Sequence, residues 1–359
     1  MKLLKIIFGI FIILSGYLLF WPVPIEPVSW DAPENKGYVG VYSSNNALSK
    51  IERIDLGEHS GPEDIAFSAD GKLYTPTHDG AILAYDLKEK LFHEFANTGG
   101  RVLGLTFGDD GLLYVADAYQ GLFAIDASGK ANLLTDRAEN DSPILYADAL
   151  DITKEGVIYF SDASTKFGAK QSGGTLEGSF LELMEHGKTG RILKYDLDTQ
   201  ITSTVLSNLS FANGVALTKD GKHLLIVETG TYSILKMPLY EPSKVEPIIS
   251  NLPGFPDNIR RNADGTFWVG LVSPRSELAD NVSDAPFMRK LIMRLPAFLH
   301  PAPQRYGFLL RIDADGNVLE NLQDPSGAYG LTTGALDGPD GNLYISSLTE
   351  PDLAVLRRD

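Results

Sequence analysis

Six times along the chain a short apolar stretch leads into an acidic–glycine turn, a stronger apolar strand and a third, alternating strand. The first unit reads GPEDIAF, SADG, KLYTPT, HDG and AILAYDL, and the second RVLGLTF, GDDG, LLYVAD and GLFAIDA. The third runs YADALDI, TKEG, VIYFSD and, after an insertion, RILKYDL; the fourth is FANGVAL, TKDG, KHLLIVET and YSILKMPL. FPDNIRR, NADG, TFWVGL and, after a longer insertion, FLLRIDA make the fifth, and LTTGALD, GPDG, NLYISSL and LAVLRRD the sixth. An acidic–Gly pair between alternating apolar segments is a hairpin signal, and hairpins recurring at such periods form propeller blades. The acidic residues of the pairs are spaced by 40, 45, 65, 44 and 76 residues, so the third and fifth blades carry insertions. The pattern therefore predicts an all-β, six-bladed β-propeller over residues 37–359. The strands GYVGVY and KIERIDL precede the first unit and are expected to complete the sixth blade, closing the ring and leaving no long open edge. A β-sandwich would supply the strands without the constant register described below.

The insertions fall at about residues 165–188 and 273–305. FLELMEH in the first and PFMRKLIMRLPAFLH in the second place apolar residues at near-helical spacing. Both are expected to form a lid over one mouth of the central tunnel; a solvated loop or a surface resting on a membrane is the alternative. At the other end of the chain, Ile6 to Trp21 is almost wholly apolar and follows Lys2 and Lys5. With Pro22 the run is at the short end for a bilayer span. A secretory signal has the same start, but WPVPIEPVSW offers no small-x-small cleavage site, and Tyr17, Phe20 and Trp21 suit a membrane–water interface. Residues 1–23 thus read as an uncleaved transmembrane anchor. The flanking lysines leave the N-terminus in the cytoplasm and the rest on the outer, periplasmic or extracellular, side. The proline-rich residues 24–36 are expected to be a stiff spacer that lifts the propeller off the membrane.

Composition narrows the chemistry. A formal net charge of −16 argues against nucleic acid and suits a bound cation better than an anion. The absence of cysteine removes thiol nucleophiles, thiolate zinc sites and disulfides.

The candidate site comes from register. Seven residues before the acidic member of each pair, four units place a hard oxygen ligand: Glu63, Asp148, Asn213 and Asp257; the other two place Leu103 and Thr333. A shared offset means equivalent places in equivalent modules, and in a ring these places converge at one end of the tunnel. Carboxylate and amide oxygens without Cys or His suit a hard ion. Calcium, with six to eight oxygens in loose geometry, fits better than magnesium, and zinc is disfavoured. Taken singly, any of these residues could merely cap a strand. His78, His93, His186, His223 and His300 share no register, although His78 follows a blade strand and could face the tunnel.

GPEDIAF with Glu63, FANGVAL with Asn213, and GFPDNIRR with Asp257 and Asn258 resemble the calcium-dependent six-bladed hydrolases, which include gluconolactonases and paraoxonase-type lactonases. YFSDAS, GRILKYDL, IVET, PGFPDNI and YGFLLRIDADGNVLE resemble the strictosidine synthase-like branch across residues 30 to 357. The resemblance implies Ca2+ held by Glu63, Asn213, Asp257 and Asn258, with Asp148 at a position usually Asn in that branch. It also implies departures: Leu103-Gly104 stands where paraoxonases carry a catalytic histidine pair, and Gly334 where strictosidine synthase has an acid/base glutamate. Expected from all this is hydrolysis of a small-molecule lactone or aryl ester. The metal would polarise the carbonyl, with Asp257, then Asp148, as nucleophile or base. A non-catalytic, calcium-stabilised propeller that binds a partner is the alternative; a strictosidine synthase-type lyase is a third reading.

Overall fold

The structure, a computed structural model, describes residues 1–358. Six four-stranded antiparallel sheets stand around a common axis. Five are built from consecutive strands, each starting at the innermost: Ala66–Phe67, Val102–Phe107, Ala147–Ile152, Ala212–Leu217 and Gly254–Arg261. The sixth runs outward from Thr332–Asp337 and is completed by Glu52–Asp55, which pairs antiparallel with Asp352–Leu356. KIERIDL therefore closes the ring as expected. GYVGVY does not: Gly40–Tyr42 is a short 3-10 turn, and the backbone carbonyls of Tyr42 and Ser43 accept from the buried Gln323 side chain instead of joining the sheet.

The six acidic–Gly turns are structurally equivalent. Each glycine has a positive φ, between 67° and 95°, the left-handed region that a side chain disfavours. Each donates its N–H to the carbonyl three residues back, at 2.8–3.1 Å. In Asp110, Asp220, Asp264 and Asp340 the carboxylate also accepts the N–H two residues on, which fixes the turn. Between blades, buried Ile, Val, Leu and aromatic side chains form the core. The largest buried residue, Trp268, lies between the last two blades and donates Nε1–H to Asp337 at 3.1 Å.

Strand direction decides which face carries the insertions. An innermost strand that begins at one mouth of the tunnel leaves the loop between the second and third strands at that same mouth. Both insertions occupy this loop: Ala169–Ser172 and Thr175–Glu185 lie between Val157–Asp162 and Gly190–Asp196, while Glu277–Asn281 and Pro286–Met293 lie between Phe267–Pro274 and Gly307–Ile312. All four segments are helices.

A nineteen-residue apolar helix, Lys2–Phe20, precedes the propeller and is long enough to cross a membrane. The segment after it is not the free spacer expected from its prolines. Val28 and Trp30 donate backbone N–H groups to the carbonyls of Glu185 and Ser283, one in each insertion. Ile25 is fully buried against Phe167, Met184, Val282 and Ile292. The prolines hold the strap extended, and its apolar side chains make it part of the roof.

Candidate active site and metal centre

Five of the six register positions sit in β-bulges; Glu63 lies just before its short innermost strand, Ala66–Phe67. In the third, fourth, fifth and sixth blades the pairing of the innermost strand with its neighbour shifts across Asp148, Asn213, Asp257 and Thr333 respectively. In the second it shifts across Leu103. A bulge puts two residues against one on the partner and re-aims a side chain. Neighbouring innermost strands also approach closely here. A Cβ on Gly104 would lie 2.6 Å from the carbonyl oxygen of Asp148, and one on Gly214 would lie 2.6 Å from that of Asp257. Glycine after the register position is what lets adjacent blades present their bulges side by side.

Glu63, Leu103, Asp148, Asn213 and Asp257 all line one cavity that opens to solvent. Thr333 turns away, donating its hydroxyl to the Glu63 carbonyl at 2.7 Å. Asn258 does the same with its amide at 2.9 Å and does not reach the cavity wall. These two residues fix the Glu63 backbone.

The electrostatics are unbalanced. Burial pushes the Asp257 and Asp148 carboxyls well above the usual range; the charge of Glu63 raises both further, and Asp148 adds to Asp257. Burial also raises Glu63, opposed by Arg101, whose Nη2 donates to Glu63 Oε2 at 2.8 Å. Three ionised carboxylates and one guanidinium leave two uncompensated negative charges, which a divalent cation would match. Among the described residues Asn213 Oδ1 is buried with no hydrogen-bond partner, a lone pair held ready where such orphans are rare. This donor set fits a hard dication. Among the described residues no three of Asp, Glu, His or Cys are gathered as a metal-holding cluster. The Glu63 carboxylate is turned to Arg101, and a cation there would compete with that guanidinium.

Residues that spacing did not single out complete the site. Arg101, only 2% exposed, lies two residues before the Leu103 register position, so the signal was an arginine at the entry of an apolar strand. Trp30, in the strap, stacks on His186 with ring centroids 4.0 Å apart, and both line the cavity. His186 ends the helix Thr175–Glu185 in the left-handed conformation, and its Nδ1 lies 3.1 Å from Ser210 Oγ. The sequence placed this histidine among those without a site. His78, by contrast, is exposed, pairs its Nε2 with the Leu348 carbonyl at 2.5 Å and does not itself line the cavity. Tyr146, buried, donates its hydroxyl to the Thr175 carbonyl at 2.7 Å, tying the floor to the first insertion. Leu176, Phe180 and Leu183 from that insertion, and Pro301 and Pro303 from the second, make apolar walls.

The family follows from comparison of whole chains. A strictosidine synthase family model matches residues 148–242, and a model of the strictosidine synthase-like N-terminal region matches residues 40–85. Protein strictosidine synthase-like 10 of Arabidopsis thaliana is 35% identical over 349 residues, covering 88% of this chain and 90% of that protein. The chain belongs to the strictosidine synthase-like family. The adipocyte plasma membrane-associated protein of Danio rerio is 31% identical, covering 93% of this chain and 84% of its own. Among solved structures, a Xanthomonas campestris gluconolactonase superposes with a TM-score of 0.62 at 15% identity, covering 86% of this chain and 90% of that one. A regucalcin from Agrobacterium tumefaciens, described as a calcium-binding protein, superposes with a TM-score of 0.59 at 18% identity, covering 85% and 93%. At these identities the structural likeness establishes the six-bladed propeller fold alone. Gly334, where the lyase reading needs an acid, stands with its Cβ direction 3.2 Å from Asn258 Cβ, a position where a longer side chain would crowd the fifth blade.

Proposed function

We propose that this protein is a membrane-anchored, calcium-dependent hydrolase of lactones or aryl esters. What carries the reading is the unpartnered Asn213 Oδ1 beside Glu63, Asp148 and Asp257 on the floor of a single roofed, apolar cavity. Glu63, Asp148, Asn213 and Asp257 would hold the ion, and Asn258 would position Glu63 from behind. Bound calcium would supply Lewis-acid polarisation of the substrate carbonyl. The apolar walls hold the acyl or aryl group and exclude bulk water, which strengthens every charge interaction inside. Asp257, once ionised, accepts a proton from a water as that water's oxygen attacks the carbonyl carbon. The alcohol oxygen then leaves and takes the proton back. Arg101 holds Glu63 in place. The gluconolactonase likeness supports a hydrolase, and the apolar N-terminal helix, together with a relative named as plasma membrane-associated, supports the anchor.

The test is turnover of aryl esters and lactones by the full chain, with and without chelator, beside Asp257→Ala. Loss of the base is expected to cost about 10²–10⁴-fold in kcat, and chelation to abolish turnover. Turnover indifferent to both changes contradicts the reading. One observation favours the non-catalytic alternative: Arg101 already occupies Glu63. Chelation that lowers the melting temperature of a protein inert toward every ester and lactone would support that alternative.

A further inference from the structure

The strap and the second insertion leave no slack between the apolar helix and the roof of the cavity. Arg294, just after the helix Pro286–Met293, donates from Nε to the Trp21 carbonyl at 2.6 Å and from Nη1 to the Leu18 carbonyl at 3.1 Å, gripping the last turn of the N-terminal helix. Ile25 is already inside the roof, and the five residues from Phe20 to Ile25 can span at most about 17 Å. If the helix lies in a bilayer, the roof is therefore at its surface.

The roof has the side chains for that position. Phe287, Phe298 and Leu299 are 52%, 84% and 49% exposed, all on the second insertion. Leu176, on the first, is exposed and also lines the cavity, so it stands at the rim. On the blades the large exposed apolar residues are scattered singly, as on any soluble surface: Leu91, Leu133, Ile201 and Leu319 lie on separate sheets, and Tyr240 lies in a turn of the fourth blade. An apolar cluster beside a cavity mouth is where a surface meets another phase.

We propose that the roof docks into the lipid surface and that the substrates are lipophilic esters or lactones, entering the cavity from the bilayer past Leu176. The proposal rests on the hydrolase and anchor readings for its substrate class, and the experiment separates it from them. The chain has no cysteine, so one probe can be placed cleanly. Full-length Phe298→Cys and, as control, Leu133→Cys, each carrying an environment-sensitive fluorophore, are reconstituted into phosphatidylcholine–phosphatidylglycerol vesicles with doxyl-labelled lipid. Quenching at 298 and not at 133 is expected. Equal quenching at both, none at 298, or a 298 probe that cross-links to a second copy instead of sensing lipid overturns the docking. In the same vesicles an aryl acetate is compared with an aryl decanoate for the wild type and the triple variant Phe287→Ser, Phe298→Ser, Leu299→Ser. The expected result is a several-fold rise in KM for the decanoate with acetate kinetics unchanged. Equal effects on both esters overturn the substrate class while leaving the hydrolase intact. If no ester is turned over by any form, the hydrolase reading and this substrate class fall together, and the quenching result still decides the docking.

Discussion

Two layers of charge lie next to each other in the tunnel, and they are built by opposite rules. Glu63 and Asp64 are neighbours in sequence, as nearly are Asp257, Asn258 and Arg260. In the lower layer, Arg260 donates from Nε to Asp64 Oδ1 at 2.7 Å and from Nη2 to the Leu105 carbonyl at 2.7 Å. Asp64 in turn accepts the N–H groups of Ile65 at 2.8 Å and Leu105 at 3.1 Å. One carboxylate and one guanidinium thus pin three blades together with their charges balanced. In the upper layer three carboxylates face one guanidinium, an amide oxygen has no partner, and the cavity stands open above. The saturated layer is built to close the ring; the unsaturated one is built to receive something. Side chains of the same type, one residue apart, are divided between stability and function by whether their hydrogen-bonding capacity has been used.

The sharpest way to break this comparison is to exchange the consequences. Asp64→Ala leaves Arg260 buried and unpaired and is expected to cost about 3–5 kcal/mol of folding stability, read by urea denaturation. Asp257→Asn removes a charge the fold finds costly and is expected to leave stability unchanged or raise it when calcium is absent. If Asp64→Ala were as mild as Asp257→Asn, the division between layers would be wrong.

Arg101 tests the balance of the upper layer. Arg101→Gln removes the one positive charge, leaving three carboxylates against each other. The metal-free protein should melt lower, and calcium should restore more than it does in the wild type. A ligand at a hundred times its Kd contributes about 2.7 kcal/mol, so the calcium-dependent shift in Tm is readable by calorimetry. An Arg101→Gln protein that melts as the wild type in chelator, and gains no more from calcium, would show that the guanidinium does not share the site.

A smaller effect concerns the roof. Burial pushes the His186 imidazole down to about 3 from 6.5, with Arg289 and Lys188 adding to it. The ring is therefore neutral in the fold but protonates in the unfolded chain below its ordinary value. Stability falls as pH drops from 6.5 toward 3, by at most about 1.4 kcal/mol per pH unit from this group. His186→Gln should flatten the slope in that window; an unchanged slope would mean the ring is solvated and Trp30 does not seal it.

The fold was readable from the chain because a propeller repeats its most demanding feature. Gly71, Gly111, Gly156, Gly221, Gly265 and Gly341 all take a positive φ at the same turn, at the end of the innermost strand, so a single offset from that turn marks one place in every blade. That is why Glu63, Asp148, Asn213 and Asp257 group together on sequence alone. Arg101 escaped because its reach to Glu63 depends on the bulge at Leu103, which local sequence does not announce. Trp30 and His186 escaped because their contact joins a strap to a helix end more than 150 residues away, across segments with no periodicity to align. GYVGVY misled because its alternation is genuine while the fourth place in the sixth blade is already filled by Glu52–Asp55.

Calcium titration of chelator-stripped full-length protein, followed by calorimetry beside Asn213→Leu, tests the central claim most directly. The account predicts one ion per chain in the wild type and lost or far weaker binding when the unpartnered amide oxygen is removed. No calcium binding by the wild type, or binding that Asn213→Leu leaves untouched, would contradict it.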